Sequence, residues 1–368
     1  MALNKTPIAP HKKSINENRI SQEVLTYLMN CGIQAPSGDN AQPWNIKTKD
    51  STILIELDPL ADNSFFNYNQ IASNMACGAV IENIRISATA FGLETSVQYF
   101  PFTDNHNVLA VLAFKYNHVK EDILHKSIWK RHTNRSKYNG TIISKEQCTI
   151  LKDSLKTIDN ASLLLFTDKT KISKIAQLVY QADIIRTERK DIHEHLISML
   201  RFTDEEAFKT KDGLPIKNLE IGLQGEFFLK ITRSWNVMKT MNKLGISKVI
   251  ANESKKGALQ ASAIGMLKYK KSNSKEQFIE SGIGLERVWL TANMLGISFQ
   301  PMAALPFFKM RWNMGEKNNF SAKHQKRLEK IWPVYDAMFN SNDGAFDVLL
   351  FRLGYGKEIE VKTLRKTV

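Results

Sequence analysis

Apolar positions along the chain change their spacing in an order that predicts a mixed α+β architecture. Glu23–Cys31 reads as a helix. It leads into Ala35–Trp44, a turn-rich stretch with two prolines, a glycine and an Asp-Asn pair. Pro fixes φ, and Asp or Asn bonds back to local backbone, so this stretch is a loop. Trp44–Glu56 is strand-like, Thr52–Leu57 reads as a strand, and Asp58–Asn69 as a loop. Ile71–Phe91 carries apolar residues at helical spacing (Ala76, Ala79, Val80, Ile84, Ala88) and ends at Gly92, a plausible helix-terminating glycine. Strand-like runs follow at Thr95–Phe100 and Asn107–Tyr116. Beyond Ile128 the pattern predicts helix over Ser144–Leu155, strand over Ala161–Phe166 and one long helix over Lys169–Leu200. It then predicts loop over Arg201–Lys217, helix over Ile221–Leu244, strand over Ser262–Tyr269 and helix over Lys275–Leu295. Strand Ile297–Met302, a basic helix at Ser321–Lys330 and a last strand at Val348–Leu353 complete the chain.

Two of these segments repeat. Cys77–Leu93 lies on Ser281–Ile297 without a gap at a constant offset of 204, since 282 − 78 = 204 and 296 − 92 = 204. Both glycines coincide, as do Glu82 with Glu286 and Ala88 with Ala292, while Ile81/Leu285, Ile84/Val288 and Ile86/Leu290 are conservative pairs. Two amphipathic helices can look alike by chance, but two glycines in register make duplication the stronger reading. The chain therefore divides into a tail (1–18), a first half (19–127) and a second half (128–368). Within the second half, 201–244 is the longest stretch without a counterpart in the first. The Ala35–Trp44 loop is likewise not repeated.

Composition narrows the class. A chain of 368 residues exceeds what one core serves, and 43% hydrophobic with 24% charged residues is ordinary for a globular protein. Cys31, Cys77 and Cys148 lack Cys-x-x-Cys spacing, which argues against a disulfide framework or zinc site and fits a reducing cytoplasm. No apolar run approaches the roughly 20 residues that span a bilayer, and no secretory signal is expected. A net charge of +14 invites a nucleic-acid reading, yet the cations are dispersed and accompany no nucleic-acid-binding motif. Neither nucleic-acid nor membrane partners are expected.

The chemistry concentrates in two places. The loop offers a hydroxyl (Ser37) and two amides (Asn40, Gln42), suited to the edge of a planar heteroaromatic ligand; as residue types alone they equally suit a connecting turn. Trp129–Arg135 packs cations around a hydroxyl: Arg131, His132, Thr133 and Arg135. Guanidinium forks match phosphate oxygens, although a solvated basic segment has the same composition. His193-x-His195 is a poor metal pair, because i and i+2 face different ways on a helix.

A-P-S-x-x-N-x-Q-P-W resembles the signature loop of the nitroreductase family, FMN-dependent oxidoreductases that usually work as homodimers. Cys-Gly-Ala-x-x-x-Asn-Ile-Arg (77–85) and Arg-x-Thr-Asn-Arg (131–135) are similar to its Acg-type tandem branch, and the resemblance covers roughly residues 20–365. It implies a nitroreductase-like fold of two tandem units forming a pseudo-dimer within one chain, either monomeric or paired again as a homodimer. It implies FMN held by Arg131, His132, Thr133, Arg135 and Arg365 at the phosphate. Pro36, Ser37, Asn40 and Gln42 would serve from the loop, with Pro36 shaping it. Met302, Ala303 and Ala304 stand where the family carries a Pro-x-Glu-Gly turn facing flavin N5. Ala303 and Ala304 replace that Glu and Gly, keeping a backbone donor and losing a carboxylate. The implied activity passes electrons from NADPH or NADH through FMN to a small acceptor such as a nitroaromatic or quinone. The alternative is a flavin-sequestering protein without turnover, its flavin lidded by the 201–244 insertion.

Overall fold

The structure, a computed structural model, describes residues 9–10, 15–16, 19–272, 274–340, 343–359 and 361–368. Most of the tail expected over 1–18 lies outside them. The architecture is α+β, with two four-stranded antiparallel sheets.

The first half runs α1 (Gln22–Gly32), β1 (Trp44–Lys49), β2 (Thr52–Leu57), α2 (Ile71–Thr89), β3 (Leu93–Tyr99) and β4 (Val108–Tyr116). Its sheet order is β1-β2-β4-β3. The expected single run from Trp44 is two strands, because Asp50 takes φ 53° and turns the chain back on itself.

The second half repeats this plan with additions. Helix α3 (Lys145–Asp153) precedes β5 (Ala161–Phe166). Six helices then follow before the next strand of this sheet, with a short parallel pairing of Leu200–Arg201 and Leu214–Pro215 among them: α4 (Lys169–Thr187), α5 (Lys190–Met199), α6 (Asp204–Thr210), α7 (Gly222–Ile231), α8 (Trp235–Lys243) and α9 (Ile246–Leu259). After them come β6 (Ala263–Lys270), α10 (Gln277–Met294) and β7 (Ser298–Pro301). Helices α11 (Ala304–Asn313) and α12 (Ala322–Phe339) separate β7 from β8 (Ala345–Gly354). The sheet order is β5-β6-β8-β7, the first sheet's order with every strand replaced by its counterpart.

Several elements differ from the sequence pattern. The long helix expected over Lys169–Leu200 breaks at Glu188–Arg189. There Glu188 turns to Lys323 and His324, and the Arg189 guanidinium stacks 3.8 Å from the Phe65 ring centroid. The helix expected over Ile221–Leu244 is two helices. Thr232 bonds back to the Phe228 carbonyl at 2.8 Å, and the chain restarts with Ser234 in extended backbone. The acidic run Asp204–Glu206, expected in a loop, opens α6 through a capping box between Thr203 and Glu206. Helices α9 and α11 have no sequence counterpart. Helix α12 runs past Pro333 to Phe339 instead of ending near Lys330.

The halves meet where α2 crosses α10. A Cβ on Gly78 would lie 1.9 Å from the Ile279 carbonyl oxygen, and one on Gly282 would lie 2.0 Å from that of Met75. Only glycine permits this approach. The contact is reciprocal, because Ile279 and Gly282 are the repeat counterparts of Met75 and Gly78. One core lies under the first sheet and takes in Ile279, Ile283 and Leu290 of α10. A second lies between α10 and the second sheet, and a third on that sheet's other face beneath α4, α9 and α12.

Candidate functional site

The loop between α1 and β1 is tightly wound. Asp39, Asn40 and Gln42 all have positive φ (44°, 60° and 55°), which L-residues with side chains adopt at a cost of about 1 kcal/mol or more each. Hydrogen bonds hold them there. The Gln42 N–H donates to Ser37 Oγ at 2.9 Å. Asn40 Nδ2 donates to the carbonyls of Gly213 (3.0 Å) and Leu364 (3.1 Å), and its Oδ1 accepts from Arg365 Nη1 at 2.7 Å. Gln42 Nε2 donates to the Lys211 carbonyl at 2.8 Å, and its Oε1 accepts the Lys366 N–H at 2.9 Å. The loop is therefore gripped from two sides, by 211–213 of the helical excursion and by 364–366. Pro36 is half-buried at its entrance, and Trp44 belongs to the first core.

The expected arginines converge on the same place. Arg131 is buried, donates Nη2 to the Gln34 carbonyl at 2.8 Å, places Nε 3.4 Å from Glu286 Oε1 and lies over the Trp289 ring. Arg365 donates to the carbonyls of Ile33 (2.8 Å), Gln34 (3.4 Å) and Ala35 (3.3 Å), so the two guanidinium groups share the Gln34 oxygen at the end of α1. Burial, reinforced by Arg131, lowers Arg365 to about 9; Glu286 opposes that shift. Burial raises Glu286 to about 7, against the pull of Arg131 and the neighbouring Asn83 amide. Two cations thus face one carboxylate, and Lys362, lowered by burial and by Arg131, adds a third cation nearby.

Arg135 sits at the other end of the cluster, donating Nη1 to the Asn218 carbonyl (3.1 Å) and its backbone N–H to Glu220 Oε2 (2.7 Å). His132 is half-buried with Nδ1 2.7 Å from the Lys130 carbonyl, and burial lowers its pKa. Thr133 is half-buried beside it. Met302, Ala303 and Ala304 stand apart. The Met302 N–H donates to the Leu350 carbonyl at 2.7 Å, and Ala303 and Ala304 begin α11. Among the described residues no hydrogen bond joins these three to the loop or the arginines.

Other residues took part without being anticipated. Asn134 clips the arginine segment to the sheet through Ser298 (3.1 Å) and the Lys357 carbonyl (2.8 Å). Buried Arg352 donates to the carbonyls of Arg135 (3.0 Å) and Ser136 (2.8 Å), fixing the backbone beneath Arg135. His195 lies 3.6 Å from Asp39 and 3.3 Å from Asn63 Oδ1. Burial pulls His195 down, but the Asp39 bond and charge, helped by Asp62, outweigh it and raise the pKa. His193 faces the Arg233 carbonyl and Trp235 instead.

No protein-family profile matches the chain. The uncharacterised protein MT1398 of Mycobacterium tuberculosis is 23% identical over 336 residues, 91% of this chain and 46% of that protein. A candidate NAD(P)H nitroreductase of the same bacterium, acg, is 26% identical over 98 residues, 27% of this chain and 30% of that one. The chain thus spans less than half the length of the curated relatives it matches. Among solved structures, the FMN-dependent nitroreductase NfnB from Mycobacterium smegmatis superposes with a TM-score of 0.37 at 12% identity, covering 63% of this chain and 86% of NfnB. A nitroreductase with bound FMN from Desulfitobacterium hafniense gives 0.36 at 8% identity over 67% of this chain and 95% of that one. At these values neither superposition assigns the chain a fold or a function.

Proposed function

We propose that the chain is a nitroreductase-like flavin oxidoreductase, built as tandem halves 19–127 and 128–368 that act as a pseudo-dimer around one FMN. One observation carries the reading: two arginines from beyond residue 128 converge on the first half at its Ala35–Trp44 loop, Arg131 donating to the Gln34 carbonyl just before the loop at 2.8 Å and Arg365 to Asn40 Oδ1 within it at 2.7 Å. The donor set fits the cofactor in kind. Arg131, Arg365 and Lys362 exceed the charge of Glu286, and a phosphate would neutralise that surplus. Arg131, His132, Thr133, Arg135 and Arg365 would hold the phosphate. Pro36, Ser37, Asn40 and Gln42 would border the ring system; of Met302, Ala303 and Ala304, the Met302 N–H is held by the Leu350 carbonyl, so the neutral backbone donor would come from Ala303 or Ala304 at the start of α11.

Bound there, FMN would supply electron transfer from NADPH or NADH to a small nitroaromatic or quinone. The chain's part is to bind, orient and exclude water; no side chain is assigned acid or base work. The weak sequence likeness to the candidate nitroreductase leans the same way. A cytoplasmic setting, a small-molecule acceptor and a monomeric pseudo-dimer or homodimer complete the proposal.

A second reading, flavin binding without turnover, is favoured by a specific observation. Lys211, Gly213, Asn218 and Glu220 occupy the polar groups of Gln42, Asn40 and Arg135. A nicotinamide would have to displace this segment to reach a ligand beneath it.

The test is an FMN titration followed by absorbance, then anaerobic NADPH and NADH. Flavin uptake, bleaching by a nicotinamide and recovery with a quinone support turnover. Uptake without bleaching supports the covered site. No uptake refutes both readings, as does undiminished affinity in Arg131→Gln with Arg135→Gln.

A further inference from the structure

Helix α7 is ten residues long and has no buried residue. A helix of that length is marginal in water without a packed face, yet its sequence, Gly-Leu-Gln-Gly-Glu-Phe-Phe-Leu-Lys-Ile, is mostly apolar. Leu223, Phe227 and Ile231 recur at i, i+4 and i+8, forming one stripe, and are 84%, 65% and 52% exposed. Leu244, in the turn between α8 and α9, is 80% exposed. Of the eighteen exposed large hydrophobic residues among those described, seven fall between 221 and 249, so this apolar surface is concentrated.

The charge along this stretch is mostly positive. Residues 217–248 contain six lysines and arginines against two glutamates, and one of those, Glu220, is bonded to the Arg135 backbone. Lys230, Arg233, Lys239, Lys243 and Lys248 are exposed, and none forms an ion pair among the described residues. An apolar helix face followed along the chain by exposed lysines without ion pairs matches the interface of an anionic bilayer, where acyl boundary and headgroup charge lie within one helix diameter. A second copy of this chain fits poorly, because it would bring the same cations and a net charge of +14 against themselves.

We infer that α7 and the α8–α9 turn dock this protein on anionic lipid surfaces, with Leu223, Phe227 and Ile231 entering the headgroup boundary and the lysines engaging lipid phosphates. This is peripheral binding; among the described residues no helix is long and apolar enough to cross a membrane. The inference does not depend on the flavin reading.

The experiment is co-sedimentation of the full chain with vesicles of equimolar phosphatidylglycerol and phosphatidylcholine, against vesicles of phosphatidylcholine alone. The wild type binds the anionic vesicles, high salt releases it, and Leu223→Glu with Phe227→Glu weakens binding by about tenfold or more. Both positions are exposed, so this variant keeps the wild-type melting temperature; Lys239→Glu with Lys243→Glu provides a second, independent loss of binding. Failure to bind anionic vesicles, equal binding to both vesicle types, or undiminished binding by the variants overturns the inference. A dimer in solution that Leu223→Glu with Phe227→Glu makes monomeric also overturns it, by assigning the stripe to a second copy. Flavin absorbance in the same samples reports on the other proposal separately.

Discussion

The two sheets share one strand order and differ in how they are dressed. In the first, β1 and β2 are joined by the two residues Asp50 and Ser51; in the second, β5 and β6 are separated by residues 167–262. Burial follows that difference. Strands β1, β2 and β3 alternate more and less buried positions, as expected of a sheet whose two faces are covered unequally. Strands β6 and β8 are buried along nearly their whole length, because α4, α9 and α12 cover the face that the first sheet leaves less covered. The plainer half carries the strained loop, and the elaborated half carries the arginines and the segments that grip it. The two sheets share a strand order, and the loop and the arginines that meet it come from opposite halves.

The sharpest way to break this symmetry is at the helix crossing. Gly282→Val drives a side chain into the Met75 carbonyl and is expected to cost more than about 4 kcal/mol, with loss of soluble protein. Gly284→Ala, whose Cβ would meet Leu155 at an ordinary 3.4 Å, is expected to stay within about 1 kcal/mol in a thermal melt. Equal melting temperatures for the two variants would mean that the helices are not so close.

Next comes the charge that the second half alone carries. Arg131→Leu strands Glu286 in the core and is expected to cost about 3–5 kcal/mol, most of it recovered when Glu286→Leu is added. Glu286 also gives a pH signature. Its folded pKa is raised to about 7 from 4.5, so the folded chain holds the extra proton between those values. Stability therefore falls as pH rises across that window, and Glu286→Gln removes the fall. The counterpart Glu82 pairs with Arg287, so the Glu286 slope has a built-in comparison in Glu82→Gln.

The loop sharpens the contrast further. Asn40→Ala removes bonds to Gly213, Leu364 and Arg365 and is expected to lower stability by about 2 kcal/mol in a denaturant melt. The smallest effect belongs to His195. Its folded pKa is raised above 6.5, so its pairing with Asp39 stabilises fully below that value and fades as pH rises through the folded pKa. Asp39→Asn should flatten that slope by well under about 1 kcal/mol, since Asp39 is partly exposed.

The sequence made the shared frame readable because the frame is local. The 204-residue offset needs only the spacing within α2 and α10, and those helices cross at the glycines the alignment pairs. The loop was readable for the same reason, since Pro, Gly, Asp and Asn announce a turn wherever they cluster. The helical excursion was not. Helix α9 is polar enough along Ser254–Gly257 to hide its period, and its apolar face is explained only by the sheet beneath it. The break at Glu188–Arg189 depends on partners, His324 and Phe65, that are distant in sequence. The grip of Lys211 and Gly213 on Gln42 and Asn40 joins residues more than 160 positions apart, which no periodicity reports. One signal was present and passed over: Thr203-x-x-Glu206 is a helix start.

The excursion leaves the second sheet at Phe166 and rejoins it at Ala263, beside Ile264, the residue that pairs with Phe166 across β5 and β6. Its two ends therefore meet, as they would in a simple hairpin, and bringing them together strained neither strand. A segment of any length can hang from two ends that are already paired without changing the register of the strands that carry it. Within it, α8 is still anchored through Met238 and the Asn242 bond to the Thr187 carbonyl, whereas α7 buries no residue and so can vary without disturbing the frame that hosts it.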